Sequence, residues 1–145
     1  MNNKNVAKAL HNIISNSYAL ALKTQNYHWN VVGANFKSLH ELFGSQYEEL
    51  SDAIDEIAER IRALDIKVSA SFDAFSEESK IKNGNENSTG QVMVQELYND
   101  NQTLTKILYD ALKIAQTEGD EGTADMLIGR IEVHDKNAWM LKSSL

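Results

Sequence analysis

Apolar residues recur at Phe36, Leu39, Phe43, Tyr47, Leu50, Ile54, Ile57, Ile61 and Leu64, always in steps of three or four. That period belongs to one face of an α-helix and excludes a strand, whose period is two. The register holds without a slip, so the pattern predicts one amphipathic helix from about 36 to 64. The chain contains no proline, the residue that breaks helix interiors. A helix of this length cannot bury its apolar stripe alone. The rest of the chain must therefore supply facing helices.

It does. Val6, Ala9, Leu10, Ile13, Ile14, Leu20 and Ala21 predict a first helix over 5–30, capped by Asn3 or Asn5. Residues 31–34 form a turn containing Gly33, and Asn35 is the expected cap of the second helix. Ile66, Val68, Phe72 and Phe75 predict a short packed helix within 65–75, followed by a polar exposed loop to about residue 90. Val94, Leu97, Leu104, Ile107, Leu108, Ala111, Ile114 and Ala115 mark a third long helix over 90–117, capped by Ser88 or Thr89. The run EGDEG breaks it at 118–122. A fourth long helix over 123–142 turns Ala124, Leu127, Ile128, Ile131, Ala138, Trp139 and Leu141 inward. Two long helices, a long crossover and two more give an all-α four-helix bundle, with a short extra helix in the crossover. With 145 residues, the chain makes one domain, 1–145.

Composition excludes several functions. There is no cysteine, so neither a disulfide framework nor a thiolate metal site is available, which fits the cytosol. No apolar run approaches membrane-spanning length, and the N-terminus lacks a signal pattern. The net charge of −7 repels nucleic acid and attracts cations.

Two polar pairs carry the chemistry. His28 and His40 flank the 31–34 turn and can converge there. Asp55 and Glu59 are four residues apart and share a helical face, where they can bind one cation. Imidazole with carboxylate is an iron-type donor mixture. The plain alternative is a pair of ordinary histidines and a solvated acidic face, with Glu48, Glu49, Asp52 and Glu56 nearby and Glu56 paired to Arg60. His40 and Asp55 lie 15 residues apart on one helix, a separation of roughly 22 Å. Ligands of one iron or zinc sit about 2 Å from it. The two pairs can share a metal only across an antiparallel two-fold dimer, which creates two identical sites.

The run YHWNVVGANFKSLHELF, followed by DEIAERIRAL and later by TADMLIGRIEVHDKNAWML, closely resembles the Dps family of mini-ferritins. The resemblance covers essentially the whole chain. It implies a ferritin-like bundle, a homo-dodecamer built from two-fold dimers, and a ferroxidase that oxidises Fe2+ with hydrogen peroxide. Ferric mineral would be stored inside, protecting DNA from oxidative damage. Iron is the implied metal. His28 and His40 match the histidine ligands of one subunit, and Asp55 and Glu59 match the carboxylates of its neighbour. Trp29 matches the aromatic beside the site, or else packs. Carboxylates at the start of the fourth helix would line an iron pore, with Asp120 and Asp125 as candidates. The implied location is the bacterial cytoplasm, at or near the nucleoid.

This chain departs from the pattern in two places. Gly44 stands where many members carry an acidic residue, leaving Glu41 or water to serve a second metal. Asp65 stands where many end the second helix with glycine, which is expected to shift the cap. His11 and His134 have no carboxylate at a useful spacing and are expected at the surface or an interface. The terminal lysines Lys4, Lys8 and Lys142 are few, so DNA binding is expected to be weak or absent. The alternative function is a DNA-compacting structural protein with incidental metal binding. A helical assembly whose metal site has decayed is a third reading.

Overall fold

The computed structural model describes residues 2–145. Five helices follow in order: α1 (Asn3–Asn30), α2 (Phe36–Ala63), α3 (Phe72–Glu78), α4 (Gly90–Thr117) and α5 (Glu121–Lys142). Short turns join α1 to α2 and α4 to α5, so each pair packs as an antiparallel hairpin. The crossover between the hairpins carries α3, which lies on α1. This is a four-helix bundle with an extra short helix in the crossover, as the periodicity predicts. No helix among the described residues is long and apolar enough to cross a membrane.

The cap assignments shift in ways the sequence explains. Asn2, not Asn3 or Asn5, caps α1, with its side chain accepting from the N–H groups of Lys4 and Asn5. Asn35 occupies the cap position of α2, but its side chain makes no capping bond. Thr89 caps α4 through the Val92 N–H. Asp65 does not move the end of α2. It adopts φ 66°, the left-handed conformation that glycine normally provides. Ile66 N–H reaches the Ile61 carbonyl and Asp65 N–H the Arg62 carbonyl, which is the Schellman pattern. Gly119, at φ 73°, closes α4 with the same pair of bonds. Asp65 thus does a glycine's work, at a cost of about 1–2 kcal/mol in backbone strain.

The extra helix lies later than expected. Residues 66–71 run without helix, with Ile66 and Val68 against the core, and α3 starts only where the Ser71 hydroxyl accepts from the Ala74 N–H. The polar stretch after it is pinned rather than wholly exposed. Ile81 is buried, Lys80 N–H donates to Asn16 Oδ1, and Asn85 N–H donates to the Tyr27 hydroxyl.

The core runs the length of the bundle, with Leu10, Leu97, Leu104, Leu108 and Leu127 fully buried. The inner seam of α5 corrects the expected one. It follows Ala124, Leu127, Ile131, His134, Ala138 and Leu141, all buried, while Ile128 is 44% and Trp139 65% exposed. His134 takes an apolar position in a seam stepping by three and four. It is therefore a core residue, not a surface or interface one.

Charged ties cross this core in hydrogen-bonded sets, as burial demands. Lys23 on α1 is buried and pairs with Glu96 and Asp100 on α4 at 3.3 and 2.8 Å. Tyr27 donates to Glu96 at 2.6 Å, and burial helps push its phenol up to about 12. Burial also raises the Asp100 carboxyl, against the pull of Lys23. On the other side, Arg130 of α5 makes a forked contact with Glu49 of α2 and donates to His134 Nε2 at 2.9 Å. His134 Nδ1 must then carry the proton, which it donates to Asn101 Oδ1 on α4 at 2.8 Å. His11 is likewise not idle. Its Nε2 donates to the Ser69 carbonyl and its Nδ1 faces Glu78, fastening α3 and its approach to α1.

Burial, aided by the neighbouring Arg130 charge, lowers the His134 pKa from 6.5 to about 3. Unfolded histidine gains a proton below about pH 6.5, whereas this buried one stays neutral until about pH 3. Unfolding therefore takes up a proton across that window, and stability falls as pH drops through it, at most by about 1.4 kcal/mol per unit. The urea midpoint should fall between pH 7 and pH 5 in the wild type. In a His134→Gln variant the fall should be visibly shallower.

Candidate metal centre

The turn at 31–35 places the last turn of α1 against the first turns of α2, and so His28 against His40. Each histidine's Nδ1 lies at hydrogen-bond distance from the other's backbone carbonyl, 2.6 Å from His28 and 2.7 Å from His40. A carbonyl only accepts, so both Nδ1 atoms carry protons. In the neutral form of each ring Nε2 then holds the lone pair, the form that ligates metal. The rings stack with centroids 3.9 Å apart and planes 12° from parallel. Phe36 stacks on the far side of His40, and Tyr47 tilts against His28.

Gly44 is the residue that sequence reasoning undervalued. A Cβ there would lie 2.8 Å from His28 Cε1 and 2.9 Å from Nδ1, so the His28 ring occupies the room a side chain would need. Glu41 does not fill the gap. It is exposed, and being next in sequence to His40 it leaves the helix on a different face.

Asp55 and Glu59 project into solvent one turn apart on α2. The hydrogen bond and charge of Asp55 raise the Glu59 carboxyl above its ordinary range. A divalent cation between the two carboxylates would relieve their repulsion. α2 is unbroken from Phe36 to Ala63, so the roughly 22 Å between His40 and Asp55 holds. Among the described residues, no three of His, Cys, Asp and Glu converge within one chain.

The other candidates separate. Trp29 is 63% exposed, so it does not pack into its own chain's core. Asp120 is buried at the N-terminus of α5, where it accepts from the Thr123 N–H and hydroxyl and from Arg60. Burial alone would raise its carboxyl, but those partners hold it below the usual range. Within the chain, Asp120 is a helix cap and ion-pair anchor. Asp125, one turn on, is exposed. Asp120 and Arg60 escaped sequence reasoning because their contact spans 60 residues. The signal for the cap was present, since Asp precedes the helix by one residue.

Residues 7–145 match the family model described as a ferritin-like domain. The chain is 36% identical over 143 residues to DNA protection during starvation protein 2 of Bacillus anthracis, covering 99% of this chain and 98% of that one. It superposes on the crystal structure of Dps from Staphylococcus aureus with a TM-score of 0.95 and 37% identity, covering 99% and 97%. The chain belongs to the Dps family. A further structural neighbour is the Dps protein of Vibrio cholerae, described as a member of the ferritin-like diiron-carboxylate proteins. It gives a TM-score of 0.93 at 33% identity, over 97% of this chain and 89% of that one. These Dps likenesses extend over both polar pairs.

Asp120→Ala should remove a cap, an ion pair and a buried acceptor, costing about 1–3 kcal/mol. Asp125→Ala should stay within about 0.5 kcal/mol of wild type. Thermal unfolding of the two variants side by side checks this.

Proposed function

We propose that this protein is a ferroxidase, oxidising Fe2+ with hydrogen peroxide at centres shared between two copies and storing ferric mineral in a homo-dodecamer. The observation that supports this best is the division of the donor set. One end of α2 carries His40, with His28 held against it, and the other carries Asp55 and Glu59. The cavity lined by Tyr18, Leu22, Tyr47, Ile54, Phe72 and Phe75 lies between the two ends. Tyr47 touches His28, and Ile54 adjoins Asp55. Leu22 is 61% and Phe72 90% exposed, an apolar surface that calls for cover. An antiparallel second copy would cover it and bring each histidine pair to the other copy's carboxylates.

In such a centre the two Nε2 lone pairs and the carboxylates would bind Fe2+ as substrate. The mutual Nδ1–H bonds would fix the tautomer and ring orientation, so that Nε2 is the ligating nitrogen of each ring. Asp125, at the start of α5, is proposed as an iron-entry carboxylate. DNA protection would come from removing Fe2+ and peroxide, because the chain's net charge of −7 disfavours phosphate contacts. The cytoplasm, where Fe2+ and DNA meet, is the proposed location.

Complementation tests the shared centre. His28→Ala, and separately Asp55→Ala with Glu59→Ala, should each lose most peroxide-dependent Fe2+ oxidation while the cage stays assembled. Cages mixed from both should regain part of it, since some interfaces then pair intact halves. No recovery after verified subunit exchange would place both halves in one chain.

DNA protection separates this reading from DNA compaction. At near-physiological salt, micromolar protein should not shift plasmid DNA but should protect it from nicking by Fe2+ and peroxide. Replacing His28 and His40 together should abolish that protection. Protection that survives would assign the shielding to physical binding.

A further inference from the structure

We propose that Asn83–Gly84 is a self-modifying site. The Asn83 side chain deamidates in the folded protein and leaves aspartate or isoaspartate in the crossover.

The reaction needs water but no enzyme and no cofactor. The backbone nitrogen of the following residue attacks the asparagine Cγ. The new C–N bond closes a five-membered succinimide ring, and the carboxamide nitrogen leaves as ammonia. Water then adds to one of the two ring carbonyls. Opening at Cγ gives aspartate. Opening at the backbone carbonyl leaves the chain running through Cβ and Cγ, which is isoaspartate, longer by one methylene. Nothing is oxidised or reduced. The attack requires an accessible carboxamide, a free N–H on the next residue, and no Cβ there to crowd the approach.

Asn83 meets all three conditions, and its neighbours do not. It is exposed, and residues 79–85 run outside any helix. Among the described residues, neither its side chain nor the Gly84 N–H has a hydrogen-bond partner in the chain. Asn85 differs, because its Oδ1 accepts from the Asn87 N–H. Asn87 is followed by Ser88, whose N–H donates to the Asn85 carbonyl. After Asn30 and Asn35 the next N–H donates to the carbonyls of Tyr27 and Gly33. Within the helices the backbone ladder occupies that N–H.

The fold itself selects the glycine. Gly33 and Gly119 take positive φ, but Gly84 does not, so conformation does not demand it. Packing does. A Cβ at 84 would lie 2.9 Å from Tyr27 Cε1, 3.0 Å from Cζ and 3.1 Å from Lys23 Cγ. Tyr27 has little room to retreat. It is fully buried, and its hydroxyl donates to Glu96 and accepts from the Asn85 N–H. The close seat of the crossover on Tyr27 thus installs the one residue type that leaves Asn83 open to attack.

The product acts back on that seat. A carboxylate replaces a neutral amide in the groove that Asn83 shares with Glu86. The extra methylene of isoaspartate shifts Gly84 along the Tyr27 ring and draws the Asn85 N–H away from the hydroxyl, now 3.2 Å distant. The Lys80 N–H bond to Asn16 lies on the other side of Asn83 and is untouched. Deamidation therefore loosens the second half of the crossover and leaves the long helices in place.

Asn83 also lines the apolar cavity assigned above to a second copy, so the assembled protein is the one to age. Samples held at neutral and at mildly alkaline pH are read by peptide mapping and by an isoaspartate-specific methyltransferase. In wild type, Asn83 should convert before any other asparagine, and faster at the higher pH, where the attacking amide loses its proton more readily. Asn83→Gln should lose that signal, since its longer side chain closes the ring poorly, and should keep the fold and the assembly. Aged wild type should be cut by protease within 80–88 faster than fresh protein, whereas aged Asn83→Gln should match fresh protein. Earlier conversion of another asparagine would overturn the site. So would an intact Asn83 in the assembly while the urea-unfolded chain deamidates there. Conversion at Asn83 with no faster cutting would overturn the loosening.

Discussion

A straight helix cannot bring together residues set four turns apart along it. α2 carries His40 near its start and Asp55 and Glu59 in its second half, and nothing in its 28 residues bends it. Proline is absent, and the single glycine within it, Gly44, is packed under a histidine ring rather than opened as a hinge. The rigidity of one element thus dictates chemistry at the level of the assembly. On the proposed reading, donor groups that a compact enzyme would gather by folding are here gathered by association. The apolar surface between them then has a purpose that the fold alone does not give it.

The bundle achieves that rigidity with few but well-partnered buried charges. Lys23 ties α1 to α4, while the Glu49–Arg130–His134–Asn101 chain ties α2, α5 and α4. Arg60 with Asp120 ties α2 to the start of α5. Each set joins elements distant in sequence and leaves its charged groups paired with opposite charge or a hydrogen-bond partner, the condition under which buried ions are tolerated. Such ties fix register as much as they add stability, because a slip of one residue would strand a charge in the core. Register matters here: the face of α2 that carries Asp55 and Glu59 must present them outward.

The helices, their order and the bundle were legible because a three-and-four apolar rhythm is a local property of the chain. The convergence of His28 with His40 and the shared face of Asp55 and Glu59 were legible for a similar reason: a histidine pair around a turn and a four-residue spacing are short-range patterns. What escaped was long-range or depended on an absence. His134 was misplaced because a polar residue in an apolar seam breaks the rhythm used to read it, though its spacing from Ile131 and Ala138 was correct. The pairing of Asp120 was missed because its carboxylate's partner, Arg60, lies on another helix. The start of α3 was missed because Ser71 capping outweighs the apolar pattern before it. The meaning of Gly44 could not be read at all, since it lies in the volume that a missing atom leaves for a neighbour.

The crossed bonds between His28 and His40 have one more consequence. Ordering a free side chain on binding costs about 0.5–1.5 kcal/mol, and here folding has already fixed both rings. On the proposed reading, an arriving ion meets nitrogens already held in place, so capture is spared that entropy. The same locking works against adaptation. Rings held by a backbone carbonyl and a stacked neighbour cannot re-aim freely for ions of other size or coordination preference. The end of one helix and the start of the next become a single stiff template.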